Sequence, residues 1–185
     1  MQSKPVIPRT AVFAGGCFWC TEAVFKQLDG VLEVIPGYTG GHVPHPTYEQ
    51  VSTGETGHAE AVMIIYDAER IPYEQLLEVF FATHDPTQLN RQGNDVGTQY
   101  RSAIFYTNPG QKETAEAYIR FLEEEGVYDR PVVTQVAPAS EFWPAEDYHK
   151  NYFENHPENP YCQYVILPKL EKFRAQFGDK LKKNP

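Results

Sequence analysis

No stretch of this chain approaches the ~20 consecutive apolar residues that a bilayer crossing requires. Its first nine residues also lack the apolar segment of a secretory leader. Both absences argue against a membrane-embedded or exported protein, and a cytoplasmic setting is the expectation. Cysteine is scarce, with three residues in 185. That number cannot build a disulfide scaffold, and in a reducing compartment it argues for chemistry over scaffolding. Excess positive charge is missing too. The formal net charge of -9 disfavours nucleic acid or an anionic membrane as the main partner, and Lys180, Lys182 and Lys183 near the end are too few to reverse it. Internal repeats and low-complexity linkers are absent. The length suits one domain, 1–185, with a core that needs neither disulfides nor a metal to hold it together.

Hydrophobic patterning gives a clear order of elements. A strand is expected over 10–14, then a helix over 17–28 with Thr21, Val24, Phe25 and Leu28 on one face and Asp29-Gly30 as its stop. Residues 31–38 and 59–66 read as strands that can pair as a long-connected hairpin across a polar, Gly- and Pro-rich stretch. A helix beginning at Pro72 buries Tyr73, Leu76, Leu77, Phe80 and Phe81, and His84-Asp85-Pro86 ends it. Residues 87–99 lack periodicity and form a surface loop long enough to be functional. A strand over 102–106, a helix over 109–125 and a strand over 132–138 complete a core at about 10–138. The remainder, 139–185, reads as a wrapping tail with short helices at 145–155 and 168–177. This order is a split βαβ arrangement with additions at its end, an α+β fold with helices on one face of a mixed sheet.

Chemistry concentrates first at Cys17, in the run Ala-Gly-Gly-Cys-Phe-Trp-Cys at 14–20. A strand breaks at two glycines there, and a helix starts on the cysteine. Unpaired backbone N–H groups and the positive end of the macrodipole favour a thiolate at that position. Phe18 and Trp19 put rings beside the sulfur, which suits an apolar group held against a nucleophile. Cys20 lies one helical turn on, where a second sulfur can capture an oxidised first one.

Strand alternation puts Glu60 on the same side as Val62, Ile64 and Tyr66, opposite Ala59, Ala61 and Met63. Two readings follow: a carboxyl whose desolvation makes it a proton donor near neutral pH, or one arm of a salt bridge to a buried partner such as Arg101. Ahead of it, Tyr48 opens a run of turn residues that can fold over a cleft. Asp95 and Tyr100 sit just before the strand at 102. On its own a tyrosine such as Tyr100 is more often a packing residue, and His58 reads as a structural hydrogen-bonding group. His42, His45, His84, His149 and His156 show no metal-ligand spacing, and the Cys17/Cys20 pair has no second pair to complete a zinc site.

Three segments in order, Gly-Gly-Cys-Phe-Trp-Cys at 15–20, Thr-Gly-His-Ala-Glu at 56–60 and Gln-Gly-Asn-Asp-Val-Gly-Thr-Gln-Tyr-Arg-Ser at 92–102, resemble the A-class peptide methionine sulfoxide reductases. The likeness runs from about Ala11 through Glu-Asp-Tyr-His at 146–149. It implies a ferredoxin-like α+β scaffold and stereospecific reduction of methionine S-sulfoxide, free or in proteins. It makes Cys17 the nucleophile and Glu60 the acid that protonates the departing oxygen. Phe18 and Trp19 then shape the pocket for the sulfoxide methyl. Tyr48 and Tyr100 match hydroxyls that bind the oxygen, and Asp95 an acid of the same polar cluster. Product methionine leaves a sulfenic acid on Cys17. No bound cofactor is implied, and a thioredoxin-type donor restores the thiols of an enzyme expected to be a monomer.

Many members of that family carry glycine where this chain has Cys20, and resolve the sulfenic acid with a cysteine from a glycine-rich tail. Cys162 resembles that tail cysteine, but its surroundings are apolar and alternating with few glycines. Cys20 is therefore expected to resolve first, with Cys162 either a packed core thiol or an outward relay for the disulfide. Two rival functions remain. A thioredoxin-like Cys-x-x-Cys exchanger leaves Glu60, Tyr48 and Tyr100 without a role, and a non-enzymatic zinc or redox sensor would use Cys17, Cys20 and Cys162.

Overall fold

The computed structural model describes residues 6–183. Residues 1–5, on which part of the leader reading rests, lie outside the described residues, as do 184 and 185. Strand β1 (Pro8–Gly15) turns Ala11 and Phe13 to one face and Val12 and Ala14 to the other. Helix α1 (Phe18–Phe25) follows, then β2 (Val31–Thr39), the short α2 (Tyr48–Ser52) and β3 (Ala59–Asp67). The expected hairpin forms: β2 and β3 pair antiparallel from Val31 opposite Tyr66 to Thr39 opposite Ala59. Next come α3 (Tyr73–Ala82), β4 (Arg91–Gln92), β5 (Asp95–Val96), β6 (Ser102–Tyr106), α4 (Pro109–Glu124), β7 (Gln135–Pro138) and β8 (Phe142–Pro144), and finally α5 (Tyr152–Asn155) and α6 (Leu167–Phe177).

Six strands make one sheet in the order β7-β6-β1-β3-β2-β8. Only the β6–β7 pair is parallel, so the sheet is mixed. Phe13, Val62, Ile64 and Ile104 meet α1, α3, α4 and α6 in the main core. Phe13 stacks on Phe80 of α3 at 4.8 Å and tilts against Phe25 of α1 at 5.7 Å. Each such ring stabilises the fold by roughly 1.5–3 kcal/mol through the apolar surface it withdraws from water. On the opposite face Val12, Ala14, Ala59, Ala61, Ala103 and Phe105 form a smaller cluster closed by Met63, Ala137 and Phe142. Among the described residues no helix is long and apolar enough to cross a membrane.

Several boundaries differ from the sequence expectation. Helix α1 ends at Phe25, because the chain tightens into i→i+3 bonds from Gln27 to Val24 and from Leu28 to Phe25 before Gly30. Strand β7 starts at Gln135, three residues late, since Val133 donates its N–H to Pro86 instead of to a sheet neighbour. The loop 87–99 contains a two-residue ladder, β4 with β5, too short for a periodicity signal. In the tail, Asn151 takes a left-handed conformation with φ 56 and splits the expected 145–155 helix into a 3-10 turn at 147–149 and α5. The surroundings of Cys162 are helical, not strand-like. A π-helical turn over 162–166 runs into α6, and Cys162, Ile166, Leu170, Phe173 and Phe177 make one buried stripe.

The strand-to-helix turn between β1 and α1 positions everything that follows. Gly16 has φ +98, and a Cβ there would meet Gln92 Cγ at 2.8 Å. Gln92 cannot withdraw easily, because its side-chain amide bonds both the N–H and the C=O of Asp85. Gly16→Ala is expected to lower the unfolding free energy by about 1–3 kcal/mol, measured by urea denaturation. Unchanged stability would contradict this account of the turn.

Candidate active site

The glycine turn delivers Cys17 to the N-cap position of α1, with φ -59, ψ 126 and no side-chain capping bond. Glu60 enters from the second position of β3, opposite Tyr38 of β2, on the core-facing side that alternation predicts. Its Oε1 accepts a hydrogen bond of 3.1 Å from the Phe18 backbone N–H, the first orphan donor of α1. Arg101 is engaged elsewhere, donating to the Gln135 side chain and to the carbonyls of Thr98 and Gly57. The salt-bridge reading of Glu60 is therefore overturned: among the described residues no cation pairs with it.

A carboxylate at a helix N-terminus would ordinarily acidify. Here burial dominates, with Glu60 only 1% exposed, and its pKa is pushed up to about 8, against the pull of the Phe18 N–H and with further push from the Asp95 and Cys20 charges. A pKa near 8 leaves Glu60 mostly protonated at pH 7. Since Oε1 accepts from the backbone, the buried and unpartnered Oε2 is the oxygen left to carry the proton.

Cys17 itself departs from the sequence expectation. Loss of water around the sulfur, a hydrogen bond shared with Cys20 and the nearby Glu60 all push its thiol well above the ordinary value, and the Trp19 backbone N–H pulls only weakly the other way. Cys20 is lowered to about 7, first by its pairing with Cys17, against the push of burial and with help from Lys169. The helix terminus therefore favours a thiolate shared by the pair, not one confined to Cys17.

The polar residues expected around the sulfur come together. Tyr48 opens α2 behind a capping box, Thr47 Oγ1 accepting from Gln50 N–H and Gln50 Oε1 accepting from Thr47 N–H. Gln99 donates its amide to the Ser52 carbonyl and brings Tyr100 beside α2. Burial raises both phenols, Tyr48 to about 12, with the charges of Glu60 and Cys17 adding to each. Both hydroxyls therefore keep their protons and can donate. Asp95, at the start of β5, accepts a 2.7 Å bond from the Tyr161 hydroxyl. Phe18 is completely buried with its ring against Tyr38 and His149, while Trp19 is half-buried and stacks on Tyr152 at 3.7 Å and 5°. Cys20 is buried beside Cys17, and Cys162 lies at 0% exposure in the main core, its thiol also raised by burial.

Sequence reasoning missed the tail's contribution. Glu146 accepts from the Tyr38 hydroxyl and from the Tyr48 N–H, tying β2 to α2 and fixing where Tyr48 starts. His149, fully buried, accepts from Trp19 Nε1 at 2.9 Å. Glu22, also buried, accepts the Asn151 N–H and so seats α5, whose Tyr152 covers Trp19. The charged run Glu-Asp-Tyr-His at 146–149, set among aromatic residues, was the available signal. His58 is structural, as expected: its ring bonds the Gly41 N–H and the Val43 carbonyl. Among the described residues no three His, Cys, Asp or Glu side chains gather as a metal site requires.

The raised Glu60 has a consequence for stability. Its folded pKa of about 8 exceeds the ordinary 4.5, so the folded state binds the extra proton between those values and stability falls as pH rises through that window. Thermal melts of Glu60→Gln and wild type are expected to shift in favour of the variant from pH 5 to pH 8. A difference independent of pH would show that Glu60 is ionised in the folded protein.

Comparison with known proteins shows the family. The family model for peptide methionine sulfoxide reductase matches residues 9–181. The peptide methionine sulfoxide reductase MsrA of Thermus thermophilus is 58% identical over 172 residues, 93% of this chain and 97% of that protein. Mxr1 from Saccharomyces cerevisiae in reduced form is similar in structure, with TM-score 0.77 and 32% identity over 87% of this chain and 92% of that one. Mxr1 in complex with Trx2 shares the fold at TM-score 0.55 and 23% identity, covering 82% and 89% of the two chains. A match this long, over segments that converge on the Cys17 helix and the buried Glu60 carboxyl, has a single meaning: the chain belongs to the peptide methionine sulfoxide reductases.

Proposed function

We propose that this enzyme reduces the S epimer of methionine sulfoxide, free or in proteins, with Cys17 as nucleophile and Glu60 as general acid. The observation that carries the reading is the Glu60 carboxyl, held against the N-terminus of the Cys17 helix and neutral at pH 7. A sulfoxide oxygen leaves only once protonated. As the Cys17 sulfur attacks the substrate sulfur, Glu60 supplies a proton to the oxygen, and Tyr48 and Tyr100 donate hydrogen bonds to it, with Asp95 in the same polar cluster. The thiol is oxidised by two electrons, the sulfoxide is reduced by two, methionine departs and the oxygen stays on Cys17 as a sulfenic acid. Trp19, with Phe18 behind it, bounds the apolar pocket for the methyl group. The thiol pair gives the nucleophile its anion: a proton passing from Cys17 to Cys20 turns the shared thiolate toward substrate.

Cys20, one helical turn from Cys17, then resolves the sulfenic acid, while Cys162 is a packed core thiol at rest and must be uncovered before it can relay the disulfide outward. A thioredoxin-type dithiol donor recycles the disulfide, a reading that the Trx2 complex of yeast Mxr1 supports for that protein. No resident cofactor enters these steps. The scaffold is read as ferredoxin-like, its central order β6-β1-β3-β2 being that of a split βαβ sheet, in one catalytic domain that 139–185 wraps. A cytoplasmic monomer fits this thiol chemistry.

Turnover on separated S and R epimers, driven by dithiothreitol, tests the proposal. Wild type should convert only the S epimer, with the first step falling as pH rises through about 8 as Glu60 ionises. Cys17→Ser should be inactive, and Glu60→Ala slowed by about 100-fold or more, the usual scale for a lost general acid. Undiminished activity of Glu60→Ala would remove the acid from the mechanism.

A further inference from the structure

We propose that Tyr161 is a positioning residue for the second chemical step: its hydroxyl, anchored on Asp95, holds the Cys20 sulfur in place to close the disulfide onto Cys17. This rests on the reading of Cys20 as the resolving thiol. The Tyr161 hydroxyl donates to Asp95 Oδ2 at 2.7 Å and stands 3.9 Å from Cys20 Sγ, so one oxygen touches both the polar cluster and the second sulfur. Its ring meets Trp19 edge-on at 5.9 Å.

The anchorage is built from both sides. Tyr161 N–H donates to Asn159 Oδ1, and Asn159 Nδ2 donates to the hydroxyl of Tyr152, the ring that stacks on Trp19. On the C-terminal side the π-helical turn begins at the next residue, with buried Cys162 as its first member. A tyrosine that only filled space would not need its hydroxyl directed to a carboxylate in the substrate cluster. Here the same atom borders the thiol whose ionisation is already eased by Cys17 and Lys169.

In the step itself Cys20 Sγ attacks Cys17 Sγ of the sulfenic acid. The S–S bond forms, the Cys17 S–O bond breaks, and the hydroxide leaves as water with the proton of the Cys20 thiol. The Cys17 sulfur is reduced and the Cys20 sulfur oxidised to the disulfide level, so no outside reductant is needed. With its hydroxyl proton committed to Asp95 Oδ2, Tyr161 presents its oxygen lone pairs to a Cys20 thiol; rotation of that proton toward sulfur stabilises the thiolate that attacks.

Single-turnover mixing of the full chain with a methionine S-sulfoxide peptide, without reductant, separates the two steps. Released methionine reports the first, and dimedone trapping of Cys17 against loss of free thiols reports the second. Tyr161→Phe is expected to close the disulfide about tenfold more slowly, the scale of one hydrogen bond to a charged group. It should also raise the dimedone yield and move the pH limb of closure upward from its wild-type position. A 3-fluorotyrosine at position 161, which keeps the ring and acidifies the hydroxyl, should move that limb the other way and serves if Y161F does not fold. Unchanged closure rate and pH limb, with peptide mapping showing the Cys17–Cys20 disulfide, would overturn the role of Tyr161 alone. A wild-type disulfide mapping to Cys17–Cys162 would overturn the Cys20 reading and this proposal with it.

Discussion

The hydrogen bond between the Phe18 backbone N–H and Glu60 Oε1 is the constraint on which the site depends. It joins the first turn of α1 to the second residue of β3, and so ties the proposed nucleophile, Cys17, to the proposed proton source, Glu60. Burial raises the Glu60 carboxyl by outweighing the acidifying pull of the N–H that anchors it. One oxygen is held by the backbone, and the other is buried without a partner, which leaves it free for the chemistry proposed above. A buried carboxyl oxygen without a partner is costly by itself, and the proposed substrate would complete it.

The remaining residues divide into those that touch this pair and those that hold what touches it. Tyr48 and Tyr100 are near enough to feel the Glu60 charge and keep their protons; the Tyr48 N–H is held by Glu146, and Gln99, beside Tyr100, by Ser52. Trp19 is fixed on three sides: Tyr152 stacks on it, His149 accepts its indole N–H and Tyr161 meets it edge-on. Each of these three comes from the tail. The segment after β8 therefore contributes the site's outer wall and not merely a wrapping for the core. Glu22, buried one turn beyond Phe18, seats the left-handed Asn151 within that wall.

The core order of strands and helices was legible because apolar periodicity is a local property of β1, β3, α3 and α4, and each buries the face its pattern marks. Glu60 was legible for the same reason: alternation alone placed it on the core side, and what alternation could not supply was its partner. That required knowing that Arg101 is drawn away by Gln135, Thr98 and Gly57, a tertiary fact. The ionisation of Cys17 was misread on equally physical grounds. A helix terminus is visible in sequence, but the desolvation and the shared hydrogen bond with Cys20 that outweigh it are not. The tail was least legible, since α5 is four residues long and hangs on a left-handed residue and a buried carboxylate from another element.

The protonation of Glu60 is the claim to which the mechanism reduces, and carbon-13 NMR of glutamate labelled at the side-chain carboxyl, assigned with Glu60→Gln, measures it directly. The resonance of Glu60 should stay at the protonated position through pH 7 and titrate near pH 8. Titration alongside the surface glutamates, below pH 5, would contradict a neutral acid beside the Cys17 helix.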